Sequence, residues 1–119
     1  LIDALLGAIG AGDIGELFPD HDDRFKDIDS KTLLKQVAAF IAQVGFEIVN
    51  CDITIIAQTP KIGDFKREMV RTLAAILNIK PIHVNVKATT TEHLGFIGRK
   101  EGVGVNATAT LKYIDWTLI

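Results

Sequence analysis

Residues 47–57, EIVNCDITIIA, alternate: Val49, Cys51, Ile53, Ile55 and Ala57 fall on one face, and Asn50, Asp52 and Thr54 on the other. A period of two is the signature of an extended strand, so the stretch reads as a strand with one apolar and one polar face. The period then changes. In 64-DFKREMVRTLAAIL-77 the residues Met69, Val70, Leu73, Ala74 and Leu77 recur at helical spacing, with Asp64 placed to cap the helix and Asn78 and Pro81 placed to end it. Alternation returns in 83-HVNVKA-88, where Val84, Val86 and Ala88 face one way. A strand, a helix and a strand over this length make a βαβ unit: two parallel strands joined by a crossover, expected to be right-handed.

The flanks extend this unit. Residues 30–44 form the clearest helical stripe, with Leu33, Leu34, Val37, Phe40, Ile41 and Val44 on one side, Ser30 available as cap and Gly45 as stop. Residues 1–11, LIDALLGAIGA, read as a helix already under way, with neither methionine nor cap before it, so residues are expected to have been lost upstream. Residues 103–113 alternate as a last strand, in which Val103, Val105, Ala107, Ala109, Leu111 and Tyr113 oppose Gly104, Asn106, Thr108, Thr110 and Lys112. The expected fold is a single α/β (α+β) domain over residues 1–119, a two-layer sandwich of a mixed sheet with helices on one face. Its other sheet face, rich in Asn, Thr, Asp and Lys, can meet either water or the same face of further subunits.

Composition limits the function. Apolar residues make up 48% and charged residues 24%, as in ordinary globular domains. A net charge of −2 provides no broad basic field, which disfavours a nucleic-acid partner and means that local groups must hold any anionic ligand. No run is apolar and long enough to suggest a membrane span. The single cysteine, Cys51, sits in an apolar run and reads as a core residue.

Four stretches can carry chemistry. KATTTE, Lys87 to Glu92, closes the second strand. Thr89 and Glu92 have the spacing of a capping box, so a helical turn is expected to start there, with free amides and three hydroxyls suited to phosphate and with Glu92 suited to a divalent cation. QTPKIG, Gln58 to Gly63, follows the first strand and should lie at the same sheet edge, where Lys61 offers a point charge to phosphate. Residues 12–29 hold seven carboxylates on a long connection; Asp13, Ile14 and Gly15, with Phe18, Pro19, Asp20, His21 and Asp22, suit sugar or polyol hydroxyls, and a metal cluster at His21 is the weaker reading. Gly95 to Gly102 brackets Phe96, Arg99 and Glu101 with glycines. Each stretch alone also has a plainer reading: a capped turn, a solvated lysine, a polar loop, a chance charge pair.

Taken in order, they resemble one family. DALLGAIGAGDIGELFPD (Asp3 to Asp20), DITIIAQTPKI (Asp52 to Ile62) and VNVKATTTEHLGFIGRKEGVGV (Val84 to Val105) are similar to signature stretches of the 2-C-methyl-D-erythritol 2,4-cyclodiphosphate synthases. The resemblance runs from Leu1 to about Leu111 without an evident insertion.

That resemblance implies a homotrimer with sheets packed around a threefold axis and active sites between subunits. It implies conversion of 4-diphosphocytidyl-2-C-methyl-D-erythritol 2-phosphate to the cyclic diphosphate with release of CMP, in the non-mevalonate isoprenoid pathway of bacterial cytoplasm or a plastid-type organelle. By resemblance, Asp13, Ile14 and Gly15 hold the methylerythritol hydroxyls, and Phe18, Pro19, Asp20, His21 and Asp22 complete that wall. Ala57, Gln58, Thr59, Pro60, Lys61, Ile62 and Gly63 form the cytidine pocket. Thr89, Thr90, Thr91 and Glu92 grip the diphosphate across the subunit boundary, with Thr90 stabilising the transition state and Glu92 helping to hold magnesium or manganese. Phe96 and Arg99 line an axial cavity that can take an isoprenoid diphosphate. The resemblance also implies zinc, or a similar divalent ion, as a cofactor beside magnesium or manganese; the family's zinc ligands, an Asp-x-His pair and a histidine just before the first helix, have no counterpart in these residues, so either further residues supply them or the fragment is inactive. A non-catalytic trimer binding a nucleotide or an isoprenoid diphosphate is the alternative.

Overall fold

The computed structural model describes every residue except Asp20, Lys26, Asp27 and Ile119, together with all side chains but those four and Phe25 and Leu118. Three strands form one mixed sheet: β1 (Phe46–Ile56), β2 (Val84–Thr89) and β3 (Gly104–Tyr113), in the order β2-β1-β3. β1 runs parallel to β2, from Cys51 opposite Val84 to Ile56 opposite Thr89. It runs antiparallel to β3, from Phe46 opposite Tyr113 to Ile56 opposite Gly104. The helices are α1 (Ile2–Ala8), α2 (Ile14–Leu17), α3 (Ser30–Gln43), α4 (Lys66–Leu77) and α5 (Gly95–Gly98). The expected mixed sheet with helices on one face is what forms.

Leu5 and Leu6 of α1, Leu34, Val37 and Ile41 of α3, and Ala74 and Leu77 of α4 make one buried cluster with Cys51 and Val84 of the sheet. Burial raises the pKa of the Cys51 thiol above its ordinary value, as befits an inert core residue. Phe46 and Ile48 also pack on this core, although both lie at even positions of a strand whose later core residues, Cys51 and Ile53, are odd. A bulge reconciles them. The register with β3 shifts between Ile48 and Asn50, which leaves Val49 without an opposite residue and flips the alternation. Strict alternation from Val49 onward was the expectation, and it fails at Val49 for this reason. The earlier parity keeps Phe46 inward, where its ring stacks on Tyr113 at 4.5 Å between centroids.

Several helix ends also differ from expectation. α1 stops at Ala8 rather than Ala11. α3 is capped by Asp29, not Ser30: the Asp29 carboxylate accepts from the Lys31 amide at 2.7 Å. Asp64 does not cap α4. It lies inside a 3-10 turn, Gly63–Phe65, and the position before the helix is Phe65, which makes no side-chain cap bond. Asn78 does end α4, in the left-handed conformation with φ 55°.

On the opposite sheet face the polar residues pair laterally. Asp52 accepts from Lys87 Nζ at 2.8 Å and from Asn85 Nδ2 at 2.9 Å, and Glu47 pairs with Lys112 across β1 and β3 at 3.1 Å. At the far end of the helix-covered face, Ile53, Ile55 and Val86 with Phe65, Met69 and Leu73 line an apolar cleft of about 410 Å³.

Two outcomes follow from this packing. Leu6 is fully buried, so Leu6→Ala should lower unfolding free energy by about 2–5 kcal/mol, read from urea melts. The Lys87 and Asn85 hydrogen bonds hold the Asp52 carboxyl below the ordinary 3.8. A depressed folded-state pKa contributes stability that is present above the unfolded value and lost as pH falls through the folded one. The urea midpoint of Asp52→Asn should therefore fall less than that of the wild type between pH 5 and pH 3.

Candidate active site

The parallel pairing of β1 and β2 sends both chains out at the same sheet edge, where one further bond, Ala57 N–H to Thr89 O at 3.0 Å, prolongs the ladder. Beyond it the two loops enclose a cleft of about 360 Å³, lined by Ile55, Ala57, Gln58, Pro60, Lys61, Ile62, Gly63, Ala88, Thr89 and Thr90. The expected meeting of QTPKIG and KATTTE at one edge is thus found within a single chain. Lys61 is exposed at the rim and has no ion pair among the described residues, so its charge is available to an anion. Thr59 itself does not line the cleft; it precedes a cis peptide to Pro60.

The expected helix start at Thr89 is absent. Thr89 ends β2, and Thr90 Oγ1 accepts from the Glu92 amide at 3.1 Å instead of capping a helix. Glu92 and His93 then take left-handed conformations, φ 52° and 66°. For residues with a Cβ each such conformation costs about 1–3 kcal/mol and persists only where neighbours over-determine it. The neighbours here are specific. The His93 amide donates to Gln58 Oε1 at 3.0 Å, and Leu94 N–H donates to Thr91 O at 3.1 Å. Gly98 lies so close that a Cβ there would sit 2.1 Å from the carbonyl carbon of His93. The capping-box spacing was misleading because a hydroxyl can bond a nearby amide in a turn as readily as at a helix start.

Hydrogen-bond direction separates the three threonines. Thr89 Oγ1 donates to Thr90 O at 3.3 Å, and Thr91 Oγ1 donates to Leu94 O at 2.7 Å. Thr90 Oγ1 only accepts, so its own proton is available to a ligand in the cleft.

The other predicted residues lie elsewhere. None of the described residues between Asp13 and Asp22 lines this cleft. Asp13 caps α2, its carboxylate accepting from Glu16 N–H at 3.0 Å, and Ile14 N–H donates to Asp3 at 2.9 Å. This capping role of Asp3 was not foreseen, since its partner is eleven residues on. Asp22 is engaged by Arg24 at 2.7 Å, and that contact lowers its pKa. Phe18, Pro19 and His21 are placed on the same connection, whereas Asp20 is outside the described residues. Arg99 forms a two-bond pair with Glu101 at 2.9 and 3.3 Å, and the half-exposed Phe96 packs its ring over Gly102.

Among the described residues no group of three His, Cys, Asp or Glu side chains converges. The residues present therefore do not fit a protein-held zinc ion. A single carboxylate such as Glu92 fits only an ion that takes its remaining ligands from water and substrate phosphates, as magnesium does.

A strand-edge cleft with one available lysine and one hydroxyl donor, on a three-stranded α+β sandwich, has the chemistry to hold an anion. The YgbB family model matches residues 1–112, and the chain belongs to that family, the 2-C-methyl-D-erythritol 2,4-cyclodiphosphate synthases. The bifunctional enzyme IspD/IspF of Aliarcobacter butzleri is 64% identical over 116 residues, 98% of this chain and 31% of that protein. The solved bifunctional IspDF of Campylobacter jejuni superposes with a TM-score of 0.94 at 54% identity, covering 98% of this chain and 32% of that one. IspF of Plasmodium falciparum, solved as a CDP complex, gives 0.84 at 33% identity, covering 96% and 68%. The chain thus spans about a third of the length of the curated bacterial relatives it matches. No helix among the described residues is long and apolar enough to cross a membrane.

Gly98→Ala should displace the turn at His93. The expected cost is about 1–3 kcal/mol of stability, measured by denaturant titration.

Proposed function

We propose that residues 1–119 form a single cyclodiphosphate synthase domain that converts 4-diphosphocytidyl-2-C-methyl-D-erythritol 2-phosphate to 2-C-methyl-D-erythritol 2,4-cyclodiphosphate and CMP. The carrying observation is the cleft that Lys61 shares with Thr89 and Thr90. The CDP complex of the Plasmodium falciparum relative, at 33% identity, supports reading Ala57 to Gly63 as the cytidine pocket.

In this reading the 2-phosphate oxygen attacks the β-phosphorus, the bond from that phosphorus to the bridging oxygen breaks, and CMP leaves with the electron pair. The reaction is intramolecular, so positioning is the main task and can supply roughly 7–11 kcal/mol of the barrier. Lys61 binds the phosphates as a point charge. Thr90 donates its free hydroxyl proton to an oxygen that gains charge in the transition state. Glu92 offers its carboxylate to a magnesium or manganese ion held mainly by the substrate, which when bound neutralises phosphate charge. No step is assigned to zinc.

The same reading places Asp13, Ile14 and Gly15 with Phe18 to Asp22 at the methylerythritol end, supplied by a neighbouring subunit of a homotrimer, since the described residues among them do not line this chain's own cleft. The Asp52–Lys87–Asn85 network would then face the threefold axis, with Phe96 and Arg99 beside a cavity open to an isoprenoid diphosphate. The location proposed with this role is the bacterial cytoplasm or a plastid-type organelle. The second reading is a non-catalytic trimer that binds a nucleotide or an isoprenoid diphosphate.

Steady-state assay of CMP release, with zinc and magnesium supplied, tests the proposal. Lys61→Ala should mainly raise KM, and Thr90→Ala should mainly lower kcat, by about a hundredfold if it acts as a transition-state donor. Unchanged constants in both variants would refute the assigned roles. CDP binding by the wild type without CMP release would select the second reading.

A further inference from the structure

One side chain ties the two loops of the cleft together. Gln58 is the first residue of its loop beyond the Ala57–Thr89 bond, and it is half-buried. Its Oε1 accepts from the His93 amide, 35 residues away, at 3.0 Å. A backbone N–H can only donate, so the amide oxygen must be the atom that faces it, and the NH₂ group points elsewhere. Among the described residues this is the one side-chain hydrogen bond between the Gln58–Gly63 loop and the turn that follows β2.

That turn needs outside support. Two consecutive left-handed residues, Glu92 and His93, are unfavourable for side chains with a Cβ. Thr90 holds the first of their amides from within the turn, and Gln58 holds the second from outside it. The Gly98 approach constrains the carbonyl side of His93 but makes no hydrogen bond to its amide.

We propose that Gln58 is a positioning residue that couples the nucleoside half of the cleft to its phosphate half, rather than a ligand of the nucleotide. Ordering of the Lys61 loop by a nucleoside is transmitted through Gln58 Oε1 to the His93 amide, and thereby sets where Thr90 and Glu92 present their oxygens. This deepens, and rests on, the reading of the cleft as a cytidine diphosphate site.

The test compares the wild-type chain with Gln58→Ala and Gln58→Glu. The glutamate keeps an acceptor oxygen at the same reach. The His93 amide exchange rate is followed by NMR, and cytidine and CDP are titrated separately into wild type and Gln58→Ala. His93 exchange should accelerate about tenfold in Gln58→Ala, the scale of one lost hydrogen bond, and stay slow in Gln58→Glu. CDP affinity should fall about tenfold in Gln58→Ala, and cytidine affinity should fall by much less. Unaltered His93 exchange in Gln58→Ala overturns the clamp. Equal losses for cytidine and CDP overturn the positioning role in favour of direct nucleoside contact. A wild-type chain that binds neither ligand refutes the cytidine site itself, and with it the coupling of two ligand halves. The exchange rates then report the clamp separately.

Discussion

Everything at the cleft depends on the parallel pairing of β1 with β2. Its register is set from below, where Cys51, Ile53, Val84 and Val86 pack as buried residues against the helical layer. A slip of one residue would turn those four outward and move Thr90 by roughly 3.3 Å along the strand. The hydrophobic core thus fixes the distance between the Lys61 loop and the threonines, although none of these four residues lines the cleft. Parallel pairing adds the second requirement, because only strands running the same way leave the sheet at the same edge.

The βαβ unit, the polar sheet face and the meeting of the two loops were legible because each rests on periodicity, and periodicity survives in a single sequence. Features set by one or two atoms were not. The bulge at Val49 changes the inward parity between Ile48 and Cys51, and its trace in the sequence is faint: Phe46 and Ile48 are apolar at even positions just before an odd-numbered apolar series. Asp29 and Ser30 are both good caps and adjacent, and only the bond to the Lys31 amide decides between them. The left-handed pair Glu92–His93 carried no signal, since neither residue type announces such a backbone. Gly98 was the available hint: glycine is needed where another backbone comes this close.

The two faces of the sheet divide the labour. The helix side holds the apolar core, whereas on the other side charged and amide groups satisfy one another laterally, with Asp52 accepting from both Asn85 and Lys87. The charged groups of this face tolerate water and also tolerate burial better than unpaired ones would, because Asp52 is paired with Lys87 and Asn85, and Glu47 with Lys112. Matching copies can therefore approach it without the desolvation cost that an unpaired carboxylate would impose. This is the physical ground on which a polar sheet face is compatible with a symmetric assembly.

The same accounting constrains how an anion is held. A helix start at Thr89 would have offered several free amides to phosphate. The turn that forms instead commits the Glu92 amide to Thr90 and the His93 amide to Gln58. Among the described residues that line the cleft, the Lys61 ammonium is the one positive charge, and the Thr90 hydroxyl proton is one of the donors left to a ligand. On the proposed reading, a diphosphate would carry more negative charge than one lysine balances. The further positive charge would come from a divalent ion or from an adjoining subunit. Glu92, which follows Thr90 by two residues and does not itself line the cleft, would repel phosphate alone and become favourable once a cation lay between the two.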